Sequence, residues 1–160
     1  MYRTRRTRGD RVPRAEFTLF SRTMTDSVRQ WKPVMLGDDV PPPVGPYSPA
    51  VRAGEFVFVS GQVAVDPLTG TVVGQTVEEQ ARQTLSNVRR ALEAAGASIA
   101  DVVSVVVYLA DENDWAAFNG IYTTVFTRPY PSRTAIGAKL RGVLVEVSAV
   151  AWLGRSSTVR

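Results

Sequence analysis

The alternation of hydrophobic and polar positions divides the chain into elements from Val51 onward. "EFVFVSGQVAV" (55–65) is apolar over a strand length and is broken or bulged at Gly61. "DPLTG" (66–70) places Pro and Gly in turn positions, and "TVVG" (71–74) predicts a brief return to strand. Helical spacing then takes over. Val77, Ala81, Leu85, Val88, Leu92 and Ala95 recur at intervals of three and four. Thr76 and Glu79 form a T-x-x-E capping box at the start, and Gly96 is a natural stop. Arg82, Arg89, Arg90 and Glu93 fall on the outer face of this helix.

"DVVSVVVYLA" (101–110) is apolar at both parities, which predicts a strand inside a sheet. "ENDW" (112–115) opens a second helix with Asn113 or Asp114 as its cap. Trp115, Phe118, Tyr122, Val125 and Phe126 share one side of it, and Pro129 closes it. Two more strands follow, one after Pro131 and one in "VLVEVSAVAWL" (143–153). The expected order is β-β-α-β-α-β-β. It corresponds to an α+β fold, a single mixed sheet with two helices packed on one face. Apolar residues occupy both parities of the strands, so the uncovered face calls for a partner. A homo-oligomer joined sheet to sheet is expected.

Composition narrows the chemistry. The 160 residues fit one domain and include no cysteine and no histidine. That removes disulfides, the usual zinc ligands, and Ser-His or Cys-His nucleophilic machinery. Only Lys32 and Lys139 remain as Schiff-base candidates. Catalysis must come from arginine, carboxylates, hydroxyls, amides, backbone and water, so neither metal nor cofactor is expected. Phosphate-loop, dinucleotide and nucleophile-elbow motifs are absent.

Charge is uneven. Nine of the nineteen basic residues and three of the fifteen acids lie in residues 1–32, so the remainder is mildly acidic although the whole is +4. Residues 1–26 are expected to be a basic, disordered extension, with 27–155 the domain and 156–160 a short tail. Met24 is an alternative start. "DDVPPPVGPYSP" (38–49) reads as an extended, Pro-rich entry to the domain. No apolar run is long enough to span a bilayer, and no signal-peptide core is present, so a cytoplasmic location is expected.

Five residues stand out. Arg133 opens an apolar strand in "PYPSRTAIGAKL", and Glu146 is the one charge in the last strand. A buried charge needs a partner, so these two either satisfy each other or face a ligand. A guanidinium suits a carboxylate, and a half-desolvated carboxylate suits proton transfer. Tyr47 in "GPYS" and Ser60 in "VSGQ" flank the first strand region, where turn chemistry explains them equally well. Asn119 lies beside Phe118 on the second helix, where a solvated surface role is the alternative.

Five stretches together resemble the RidA family: "PPPVGPYSPAV", "FVFVSGQVAVDPLTG", "QTLSNVRRALEAAGAS", "VVVYLADENDWAAFNGIYTTVF" and "PSRTAIGAKLRGVLVEVSAVA". They cover roughly residues 40–152 in order. The resemblance implies a chorismate-mutase-like homotrimer with sites in clefts between subunits. It implies hydrolysis of reactive enamines and imines, of the 2-aminoacrylate type, to 2-oxo acids and ammonia, without cofactor. Arg133 matches the arginine that binds the substrate carboxylate, and Glu146 the glutamate that activates water. Tyr47, Ser60 and Asn119 match cleft residues. Pro49, Ala135 (where many members have Cys) and "PSRT" in place of "PARS" depart from the pattern and point to a subgroup with its own substrate. Two other functions fit such a protein: a ligand-binding or regulatory trimer without turnover, and a ribonuclease or translation inhibitor. The mildly acidic domain lacks the basic groove that nucleic-acid binding calls for.

Overall fold

The computed structural model describes residues 30–37, 40 and 42–154. The expected basic extension, the alternative start at Met24 and the C-terminal tail lie outside the described residues. Six strands form one sheet: β1 (Trp31–Val34), β2 (Ala50–Ala53), β3 (Phe56–Val63), β4 (Val102–Leu109), β5 (Ser132–Gly137) and β6 (Val145–Trp152). Helix α1 (Val77–Ala94) joins β3 to β4, and α2 (Trp115–Val125) joins β4 to β5. The strand order is β1-β2-β3-β6-β4-β5, antiparallel except for the parallel β4–β5 pair. The last strand, β6, is thus inserted between the two strands that α1 connects.

Period-two burial fixes which way each strand faces. Val57 and Val59 of β3, Val105, Val107 and Leu109 of β4, and Val145, Val147, Ala149 and Ala151 of β6 are buried under the helices. From α1 come Val77, Ala81, Leu85, Val88 and Leu92, all at 5% exposure or less, which matches the periodicity of the sequence. From α2 come Phe118, Ile121 and Tyr122. The opposite parity carries Phe56, Phe58, Ile136 and Trp152, each more than 40% exposed. The single mixed sheet with two helices on one face is therefore as expected, and its other face is open in the single chain.

Several local readings are corrected. "TVVG" makes only an isolated bridge, Val65 to Val72. Strands β1 and β2 were not foreseen. β1 contains Pro33, and an edge strand tolerates the N–H that proline lacks. β2 is set off from β3 by a two-residue loop in which Gly54 takes φ +60°. The proline-rich entry does not run extended throughout: residues 44–47 form bends, and Tyr47 N–H donates to the Gly45 carbonyl at 2.9 Å. A 3-10 turn, Glu112–Asp114, precedes the second helix, and Asp114 takes the N-cap position of α2, as one of the two expected caps, though its side chain makes no capping hydrogen bond. Asp111 caps the 3-10 turn, accepting from Asn113 N–H at 2.9 Å. Helix α2 ends at Val125, ahead of Pro129, and the Arg128–Pro129 peptide is cis.

Candidate active site in two halves

The first half is built by α2 against the edge strand β5. Trp115 and Tyr122 are seven residues apart, two helical turns, and so share a face. Arg133 pairs in register with Val105, whose side chain lies under the helices, so Arg133 points to the same side. Its guanidinium lies 5.0 Å from the Trp115 ring and 4.5 Å from the Tyr122 ring. Contacts of this kind contribute about 0.5–2 kcal/mol each. Tyr122 is itself braced, with ring centroids 4.5 Å from Phe126 and 5.9 Å from Phe118. Burial pushes the Tyr122 phenol above its usual pKa; Arg133 opposes that shift and Tyr130 adds to it. Asn119 joins Trp115, Tyr122, Arg128, Tyr130 and Arg133 around an open cavity of about 580 Å³.

The second half forms where β3 is irregular. Its register with β6 shifts between Val59 and Gln62. At that bulge Ser60 Oγ donates to the Ser48 carbonyl at 2.7 Å, and Ser60 N–H donates to the Pro49 carbonyl at 3.0 Å. Ser60 thereby clasps the segment carrying Tyr47 onto the sheet. Gly61 lies against Glu146, and a Cβ there would overlap the carboxylate. The glycine leaves room for the carboxylate in this position, and its backbone is not in the left-handed region. Tyr47 is half-exposed and, with Gly61, lines a second cavity of about 270 Å³. Asn87 of α1 holds the end of β3 by donating to the carbonyls of Val63 (2.9 Å) and Val65 (2.7 Å).

Arg133 and Glu146 do not meet within one chain. Glu146 pairs with Tyr108 on β4 and lies at the parity opposite buried Val145 and Val147, on the helix-free face. Arg133 lies on the helix face, two strands away. Strand spacing and rise put their Cα atoms roughly 14 Å apart. Among the described residues no ion pair joins them, so the mutual-satisfaction alternative fails. Of the five sequence-derived residues, Arg133 and Asn119 share one cavity, Glu146 lies against Gly61 next to Ser60, and Tyr47 lines a second cavity with Gly61. Ser60 is engaged with backbone. Sequence reasoning placed Trp115 and Tyr122 on one side of the second helix and missed their contact with Arg133. The available signal was their two-turn spacing on one helix face, shortly before the arginine-bearing strand.

A family model described as endoribonuclease L-PSP matches residues 38–153. A RutC family protein of Pyrococcus horikoshii is 42% identical over 76% of this chain and 98% of its own length. A mouse protein named 2-iminobutanoate/2-iminopropanoate deaminase is 42% identical over 71% of this chain and 86% of its own. The crystal structure of RidA from an Antarctic Psychrobacter superposes with a TM-score of 0.70 at 33% identity, covering 76% of this chain and 98% of that one.

Proposed function

The chain belongs to the RidA family, the one the endoribonuclease L-PSP model describes, and on that premise we propose that it hydrolyses 2-imino acids to 2-oxo acids and ammonia. The observation that carries the reading is the state of Arg133. Its guanidinium lies over two rings, it opens to a cavity, and no described carboxylate neutralises it. Ring stacking leaves the in-plane N–H donors available for a carboxylate fork.

In the proposed mechanism Arg133 holds the substrate carboxylate and fixes the C=N carbon in place. Water adds to that carbon while Glu146 takes a proton from it. The proton is returned to nitrogen, the carbinolamine collapses, and ammonia leaves with the 2-oxo acid as product. Atoms balance with one water consumed, and no cofactor enters. Because the two residues lie on opposite faces of one chain, the complete site takes Arg133 from one copy and Glu146 from a neighbour. The open face bearing Phe56, Phe58 and Trp152 supplies the apolar surface for such an assembly, which we read as a homotrimer.

The test is a coupled assay with a pyridoxal-phosphate dehydratase that releases 2-iminobutanoate. The protein should speed decay of the imine absorbance. Arg133→Ala should abolish this effect. Glu146→Gln should lower kcat by about 10²–10⁴-fold while a bound 2-oxo acid is retained. A protein that binds a 2-oxo acid yet never speeds ammonia release would instead be a ligand-binding member of the family.

A further inference from the structure

The cavity beside Arg133 holds a second guanidinium. Arg128 lies 5.2 Å from the Tyr130 ring. Tyr130 and Tyr122 are neighbours, with centroids 6.4 Å apart, and Arg133 covers Tyr122. Cations and rings therefore run as one series: Arg128, Tyr130, Tyr122, Arg133, Trp115. Both arginines line the same cavity, and no acidic residue lines it. Among the described residues neither forms an ion pair. Two like charges facing one cavity repel each other, and the stacked rings offset this only in part. A ligand with an anionic group at each end relieves that repulsion. A monocarboxylate leaves Arg128 without a counter-ion.

We propose that this site selects dicarboxylic substrates, 2-imino acids whose side chain ends in a second carboxylate, with Arg128 as the specificity-determining residue. The proposal rests on the deaminase reading for the chemistry but on Arg128 for the selection. Arg133 takes the α-carboxylate next to the C=N carbon. Arg128, toward the outer end of the ring series, takes the distal one. Tyr130 holds the Arg128 guanidinium over its ring at the cavity wall, where its donors can reach the ligand. The intervening rings line the path along which the ligand's methylene groups lie.

The experiment compares 2-oxoglutarate with 2-oxobutanoate by calorimetry, and the imines formed by amino-acid oxidases from glutamate and from 2-aminobutyrate by turnover. The full-length protein should bind 2-oxoglutarate about tenfold or more tighter, as a charge-assisted fork to a second carboxylate allows. Arg128→Ala should reduce that affinity to the level of 2-oxobutanoate and leave 2-oxobutanoate unchanged. Arg82→Ala, which removes an exposed charge from α1, should leave both affinities unchanged. Equal affinity for the two acids in the unmodified protein overturns the proposal, as does an Arg128→Ala variant that weakens both alike or neither. The two readings fail separately. If dicarboxylate preference depends on Arg128 but no imine is hydrolysed, the deaminase reading falls and the selectivity stands. If 2-iminobutanoate is hydrolysed without any dicarboxylate preference, the reverse holds.

Discussion

At the scale of single residues, two positions tie side-chain geometry to measurable behaviour. Gly61→Ala would put a methyl group where the Glu146 carboxylate now sits. That carboxylate ends a flexible side chain, so it can swing aside at little cost to folding. Melting temperature should hardly move, whereas kcat should fall by roughly 10²-fold, the scale of a small misplacement of a catalytic group. A variant with normal kcat would show that Glu146 acts from another position. Tyr122 makes the second case. Its hydroxyl is buried with no hydrogen-bond partner among the described residues, and burial raises its pKa. A raised pKa favours the folded state fully below the ordinary value of 10.0, and that contribution disappears as pH climbs through the raised one. Phenolate absorbance should therefore show one late-titrating tyrosine that vanishes in Tyr122→Phe. In Arg133→Ala it should titrate later still, since the arginine's charge pulls the phenol down. A late tyrosine unaffected by either substitution would contradict the stacking.

Elements were legible where their signals are local. The capping box of α1 is complete: Thr76 Oγ accepts from Glu79 N–H at 3.3 Å, and the Glu79 carboxylate accepts from Thr76 N–H at 3.2 Å. Thr76→Ala should cost about 1 kcal/mol, read as a lower midpoint in urea with unchanged slope. No change in midpoint would mean that the cap adds nothing beyond the Glu79 contacts. The apolar period of α1 likewise placed its core face correctly. What stayed illegible depended on distant partners. β1 exists because Trp31–Val34 finds β2 at the sheet edge, and four residues interrupted by proline carry no strand pattern of their own. The start of α2 at Trp115 with Asp114 at its N-cap agrees with the sequence, but the 3-10 turn before it, capped by Asp111, did not show, because Asp111, Asn113 and Asp114 are all good caps and only geometry separates them. For the site, Arg133 and Glu146 could be singled out as charges in apolar strands. Their placement on opposite faces could not, because it depends on the parity of β5 relative to β6 through β4.

On the scale of the whole molecule, the proposed reaction and the open sheet face call for the same assembly of copies. Sedimentation equilibrium should report a trimer at micromolar concentration, and a stable monomer would remove the proposed site along with the assembly. Subunit mixing gives a sharper check. Arg133→Ala and Glu146→Gln homo-oligomers should each be inactive. After dissociation and joint reassembly, about a quarter of the inter-copy sites should hold both native residues, and activity should return to about that fraction. Were both residues drawn from one chain, mixing would restore nothing.

The grip of Trp115 on Arg133 has an optical consequence. The chain contains three tryptophans. Trp31 is on the edge strand β1 and Trp152 near the end of β6, whereas Trp115 lines the cavity that the carboxylate is proposed to enter. With Trp31 and Trp152 replaced by phenylalanine, the remaining indole emission would change as a ligand's charge draws on the guanidinium resting against it. The protein would then report its own occupancy through intrinsic fluorescence, without a label and without turnover, and a candidate acid could be ranked by titration before its imine is ever made.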